Sequence, residues 1–479
     1  MSIDNINITE TIAKVKETLR KDKSLSPQAR TLMELLVVIV ELLANKLNLN
    51  SRNSSKPPST DPNRERGSRR KEEEEKRKPG GQPGHNGSTL EKVKNPDHIE
   101  TIPIDKKTLP AGKYDHVGYD VRQVIDIIIS KNVTEYRAEI VEDSKGNRFT
   151  APFPPGVTRP VQYGKDLKAQ AVYMSQQQLI PYDRIQDYFS DQCKIPISTG
   201  SLCNFNKEGY DLLEVFEQIS RRRLTIEEIL HNDETGINVN GKLLWLHCAS
   251  SDLWTMYFPH EKRGLDAMIA MGILEHFKGI SVHDHWKCYF RFPCEHALCN
   301  AHHLRELTRA WEQDSQQWAK KMQELLLEID TAVKKAGGSL TKKAAKKFRK
   351  RYRSILARGS RECPGPPNSA VKTKRGRTKK SRARNLLERL RDFEREVLRF
   401  MTDKRVPFTN NQGENDIRMT KVQQKISGCF RSMDGAKIFC RIRGYLSTCR
   451  KHGVQPTEAL RILFSGTLPQ FALDAAKMC

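Results

Sequence analysis

Three carboxylates carry the chemistry that this sequence suggests. In "EEILHNDETGI", residues 227–237, the apolar pair Ile229-Leu230 runs straight into Asn232-Asp233-Glu234. A carboxylate at the end of an apolar strand is expensive to bury unless it is paired or bound to a metal. A second acid, Asp284, closes the apolar stretch "GISVHD". Paired acids of this kind suit Mg²⁺, which prefers oxygen ligands and accepts few of them from protein. Two such ions about 3.5–4 Å apart can activate a nucleophile and stabilise the leaving oxygen at a phosphate. A third acid is normally needed, often from a helix, and "TNNQGENDIRMTKVQQKISGCFRS" offers Glu414. Asn411 is placed to cap a helix whose third residue is Glu414, a capping-box arrangement. Glu414, Arg418, Lys421 and Lys425 follow at spacings of 4, 3 and 4, which puts them on one helical face. With Arg431 they form a basic set beside an acid, as a metal ligand next to a DNA backbone requires. The plainer reading is that Glu414 caps its helix and pairs with Arg418 at i+4. Each acid alone is commonly structural, and the three in this order favour catalysis.

The elements that must position them read in a definite order. "ILHND" is a strand candidate ended by Asp233, and "INV" and "KLLWLHCA" flank Asn240-Gly241, a strong hairpin signal. "LWTMYF" follows a turn, "GLDAMIAMGILEHF" has helical periodicity, and "GISVHDHW" reads as another strand. The order β-β-β-α-β is the beginning of a ribonuclease H-like fold. There the first and fourth strands lie side by side, so Asp233 and Asp284 would meet at one edge of the sheet.

These motifs resemble the insertion sequence 66 family of DDE transposases. The resemblance rests on "HNDETGINVNGKLLWLHCAS", "SVHDHWKCY", "CNAHHLREL" and "NNQGENDIRMTKVQQKISGCFRS". "NSSKPPSTD", "KPGGQPGHNG" and "YLSTCRKHGVQPTEALRIL" extend it over nearly the whole chain. It implies a triad of Asp233, Asp284 and Glu414 holding Mg²⁺ or Mn²⁺, an α-helical insertion between the last two acids, and small accessory proteins of the same element. The family's N-terminal module usually carries Cys-x-x-Cys pairs for zinc. No cysteine precedes Cys193, and "EDSKG" occupies residues 142–146 where a pair is expected, so zinc is not expected there. Further on, Cys288, Cys294, Cys299, His302 and His303 fall within sixteen positions. Their spacing is irregular for a zinc knuckle. The favoured reading is a helix near the active site, with His302 or His303 supporting the acids or the DNA.

The rest of the chain divides by composition. At 479 residues it should hold several domains, and its net charge of +25 calls for a polyanionic partner. The 11 cysteines form no even framework and no secretory signal opens the chain, which reads as a cytoplasmic, nucleoid-associated, prokaryotic setting. The apolar run "TLMELLVVIVELLANKL" is broken by Glu34 and Glu41 and is too short to span a bilayer. Residues 1–49 read as helical. Leu32, Leu35, Ile39, Leu42 and Leu49 form either a short coiled-coil seam or an ordinary amphipathic face. Residues 50–95 read as a disordered linker, 96–160 as a small β-rich module, and 161–224 as helical. Within the last, a helix capped by Ser198 or Thr199 suits either a helix-turn-helix or a plain helical hairpin. The catalytic domain spans 225–445 with a basic helical insertion at about 305–400, and a helical segment closes the chain at 446–479. Residues 341–384 hold eighteen Lys or Arg against one acid, Glu362, a block that neutralises phosphates without reading bases. The expectation is an enzyme that cuts transposon ends and joins them to target DNA as a homo-oligomer. A structure-specific nuclease with the same site, or a non-catalytic DNA-binding derivative, remain the alternatives.

Overall fold

The computed structural model describes residues 2–3, 6–22, 24–47, 49–50, 52–54, 90–365 and 380–477. Most of the expected linker and residues 366–379 of the basic block lie outside these. The architecture is mixed α/β around one five-stranded sheet. Its strands are β1 (Ile229–Val239), β2 (Lys242–Ser250), β3 (Thr255–His260), β4 (Ile280–His283) and β5 (Glu295–Leu298). The spatial order is β3-β2-β1-β4-β5. β1, β2 and β3 pair antiparallel, while β4 runs parallel to β1, and β5 parallel to β4.

Local chemistry explains the outline. β1 turns into β2 at Asn240 and Gly241, whose φ values are 48° and 81°. Both positions of such a two-residue turn need positive φ. The Gly241 N–H also donates to Asn238 Oδ1 at 2.9 Å. The apolar run "ISVH" is buried along its whole length because β4 lies between two parallel neighbours with both faces covered. Between β3 and β4 sits helix α1 (Leu265–Met271), shorter than its periodicity predicts. Gly272, with φ 68°, ends it in a left-handed C-cap.

Three packed clusters surround the sheet. Helices α2 (Asn300–Glu312), α3 (Gln317–Lys335), α4 (Lys342–Glu362) and α5 (Arg382–Asp392) form the insertion. Trp318, Leu326, Tyr352 and Leu387 from these helices bury together with Ile280, Val282 and Leu298 of β4 and β5. Helices α6 (Asn411–Ser427) and α7 (Met433–Lys451) cover the antiparallel part through Ile417, Phe439 and Cys440 against Ile237, Leu246 and Cys248. In the third cluster, the helices at 165–172, 182–193, 199–212 and 214–226 pack with α7 and with the helices at 456–464 and 470–477. The cap before Thr199–Leu212 is Ser198, whose hydroxyl accepts from Ser201 N.

The N-terminal part departs from the sequence reading in two places. The helix predicted over the first 49 residues is a hairpin of Ile8–Lys21 and Pro27–Leu47, joined by a Lys16–Glu41 ion pair. Leu49 lies past its end, and Leu32, Leu35, Ile39 and Leu42 are exposed. In the module expected to be β-rich, residues 121–129, "VRQVIDIII", have strand composition but join no sheet. Ile127 and Ile128 are more than four-fifths exposed, and an isolated extended run gains no burial. Only a short hairpin, Ile140–Glu142 with Arg148–Thr150, forms in that module.

Gly279 tests how tightly β4 is held. A Cβ there would clash with Glu228 O and would lie 2.7 Å from both Glu227 O and Phe277 Cζ. Gly279→Ala should therefore cost about 1–3 kcal/mol, as overpacking does. The check is urea unfolding followed by tryptophan fluorescence; an unchanged midpoint would contradict this packing.

Candidate active site

Asp233 does not end its strand, because β1 continues to Val239 in antiparallel register with β2. Its parallel register with β4 stops at His231 opposite Val282. Asp233 thus lies two residues past that register, on a rigid strand, next to the point where the chain leaves β4. Asp284 directly follows His283, the last residue of β4. The Asp284 carboxylate accepts from Trp286 N at 2.8 Å. The preceding His283 is buried, stacks on Tyr289 at 4.4 Å, and shares a 3.1 Å hydrogen bond with His296. Burial pushes the His283 imidazole down to about 3, so it is neutral and anchors the end of β4.

Glu414 arrives from the first turn of α6. That helix starts one residue earlier than a capping box at Asn411 requires. Its N-cap is Asn410, and the Asn410 side chain does not cap. It is drawn to β1 instead, donating from Nδ2 to Asn232 O at 2.8 Å and meeting His231 Nδ1 at 2.7 Å. With its amide oxygen accepting, His231 is the Nδ1–H tautomer. Asn410 N in turn donates to Cys299 Sγ at 3.1 Å, just beyond β5. One asparagine therefore ties the start of α6 to both sides of the parallel strands. Glu414 does not pair with Arg418. Its neighbours are Arg305 Nη2 at 3.8 Å and His302 Nδ1 at 3.9 Å.

The three predicted acids are neighbours, close enough for Asp284 and Glu414 to act on the Asp233 charge, but their carboxylate oxygens are not gathered within 4.8 Å of one another. Burial, then Glu234, Asp284 and Glu414, push the Asp233 carboxyl up to about 8, against the opposing hydrogen bond from Glu234 N. Among the described residues neither Asp233 nor Asp284 has an ion-pair partner.

Glu234 is a fourth carboxylate that the sequence reading did not single out. Its side chain is 2% exposed. Burial and Asp284 raise it, while Tyr289 and Arg263 oppose that shift. Tyr289 donates to Oε2 at 2.6 Å, and Arg263 donates to Oε1 at 2.6 and 3.0 Å. The Arg263 guanidinium lies between the rings of Trp245 and Trp286, 4.8 and 4.3 Å from their centroids. The one signal available in sequence was the adjacent pair Asp233-Glu234.

The basic set is only partly free. Arg418, Lys425 and Arg431 are exposed, whereas Lys421 Nζ donates to Gly236 O on β1 at 2.6 Å. His302 faces Glu414. His303 does not: it is buried, meets Asn300 Oδ1 at 3.1 Å and lies against the His285 ring. Cys288 and Cys294 stand apart from the Cys299–His302 group, in the cluster with the 165–226 helices.

Residues 160–438 match the Transposase IS66 family. The chain belongs to that family. It is a transposase of an insertion sequence, a mobile element, with DNA as its substrate and divalent metal use implied. Residues 4–91 match a family of unknown function (DUF6444). No curated protein matches the chain. Among the described residues no helix is long and apolar enough to cross a membrane.

The raised Asp233 has a stability consequence whose sign is fixed. Its folded value of about 8 exceeds the ordinary 3.8, so the folded state keeps a proton that the unfolded chain releases between those limits. Its contribution is full below about pH 4 and is lost as pH rises through 8. Without divalent ions, Asp233→Asn should raise the melting temperature more at pH 9 than at pH 5. The difference should reach a few kcal/mol at most, at about 1.4 kcal/mol per unit. Equal gains at both pH values in a thermal-unfolding series would show that this carboxyl is not perturbed.

Proposed function

We propose that the chain cuts DNA at transposon ends and joins the freed 3′ hydroxyls to target DNA, through a ribonuclease H-like domain with Asp233, Asp284 and Glu414 as its metal-holding triad. The observation that carries this reading is the approach of Glu414, from far along the chain, to the half-buried Asp233 and Asp284, where it acts on the Asp233 charge. The strand order supports it, since both aspartates sit where the parallel strands end. The donors fit a hard divalent cation: all are carboxylate oxygens, Asp233 is strained by its neighbours, and two of the three lack a cationic partner. When bound, two Mg²⁺ or Mn²⁺ ions would supply activation of the attacking oxygen and charge stabilisation at the leaving one.

The chain's own residues do the rest. Asp233 and Asp284 hold their positions through strand geometry, and Glu414 through Asn410. Arg418, Lys425 and Arg431 hold phosphates, and Lys421 fixes α6 to β1 while keeping donors toward the backbone. His302 supports Glu414. Helix α4 and the rest of 341–384 bind the phosphate backbone without sequence preference. The exposed leucines of Pro27–Leu47 support a coiled-coil contact in a homo-oligomer on DNA. Small accessory proteins of the element take part, and the setting is the cytoplasm. The domain limits are those read from composition, with 225–445 as the catalytic unit.

The deciding experiment is strand transfer from a pre-cut end substrate with Mg²⁺, beside Asp284→Ala and Asp233→Asn. Wild type should join ends. Both variants should bind DNA yet lose more than about 100-fold in joining, since even indirect support of a metal costs 10- to 100-fold. Cutting without joining would favour a structure-specific nuclease. Binding without cutting in wild type would favour a non-catalytic derivative.

A further inference from the structure

Beside the oxygen-only cluster lies a second donor set of a different kind. Cys299 Sγ is 4.0 Å from Glu414 Oε1, and His302 Nδ1 is 3.9 Å from the same oxygen. The three donor atoms all lie within 4.8 Å of one another, and among the described residues no other three such side chains meet this way. Bonds of about 2.0–2.3 Å to O, N and S around tetrahedral zinc imply donor separations of roughly 3.3–3.7 Å. Shifts of about 1 Å or less would therefore close the site.

Each donor is prepared for this. His302 Nδ1 is buried without a hydrogen-bond partner, which a buried ring nitrogen rarely tolerates. Cys299 is the N-cap of α2, and burial pushes its thiol up to about 11, so its proton leaves only when a cation takes its place on the sulfur. Its sulfur already accepts the Asn410 N–H, the type of outer contact that orients a metal ligand. Arg305 occupies the far side of Glu414 at Oε2, leaving Oε1 to the thiol and imidazole.

We propose that Cys299, His302 and Glu414 form a site for a zinc-class divalent cation, separate from the Asp233–Asp284 centre and sharing Glu414 with it. A thiolate and an imidazole select such an ion over Mg²⁺. Binding replaces the Cys299 S–H bond with a sulfur–metal bond and releases the proton to solvent. The fourth position remains for water. The site stands on its own donors. Only its consequence, that an ion here draws Glu414 Oε1 away from the aspartates, rests on the proposed reaction.

The test is titration of Co²⁺ into the chelator-treated full-length chain, read by thiolate-to-cobalt charge-transfer absorption. One equivalent should bind, Zn²⁺ should displace it, and excess Mg²⁺ should not. Cys299→Ser should abolish the band, and His302→Ala, at a partly exposed position, should weaken binding at least about tenfold. Asp233→Asn should leave the band intact, so failure of the DNA reaction and failure of this site are told apart. No band, or a band that survives both Cys299→Ser and His302→Ala, overturns the proposal. Circular dichroism of both variants checks that the chain is folded.

Discussion

Negative charge held out of water is the constraint on which this site depends. Asp233, Glu234, Asp284 and Glu414 crowd the ends of the parallel strands, and like charges in a half-buried place cannot all be ionised without compensation. The protein compensates unevenly. Glu234 is fully served by Arg263 and Tyr289. Glu414 has Arg305 and His302 at longer range. Asp284 accepts one backbone N–H, and Asp233 is left with a raised carboxyl. The missing positive charge is therefore localised at the two aspartates. That is where an added cation gains most and where a side-chain cation would have been in its way.

The crowding is tolerated because the backbone does not give. β1 is anchored on both sides, by β2 across its full register and by β4 up to His231. β4 is buried throughout and leads through the neutral, stacked His283 to Asp284. α6 is pinned by Asn410 to β1 and to Cys299 at once. Sites carried on rigid elements keep their geometry better than sites on loops. Here the flexible participant is reduced to side-chain torsions.

Much of this was legible in the sequence, for reasons that are local. An apolar run ended by an acid, the Asn240-Gly241 turn, and the β-β-β-α-β order all express short-range physics, and they led to Asp233 and Asp284. The elements that failed to read are those decided at long range. Asn410 resembles one of two equivalent capping asparagines until β1 competes for its side chain. Strand alternation assigns Glu234 to the face opposite Asp233, so nothing in the sequence signals that Arg263 and Tyr289 converge on it. "VRQVIDIII" has strand composition, but composition cannot supply a partner strand. Leu32, Leu35, Ile39 and Leu42 kept their predicted spacing, yet among the described residues nothing covers them.

The same rigidity links Glu414 to the exposed bases of α6. At 1.5 Å per residue, Arg418 stands about 6 Å further along the helix and Lys425 about 16 Å from Glu414. The helix is stiff and is bound to β1 at two points, Asn410 and Lys421. Glu414 therefore stands at a fixed distance from these bases. Because α6 is pinned, an ion at the proposed Cys299–His302 site would turn the Glu414 side chain and leave the exposed bases in place. An ion at the proposed aspartate centre would instead draw the same carboxylate toward the ends of the parallel strands. With the acid and the bases on one stiff helix, the proposed metal ligand and the proposed phosphate contacts would keep a fixed spacing.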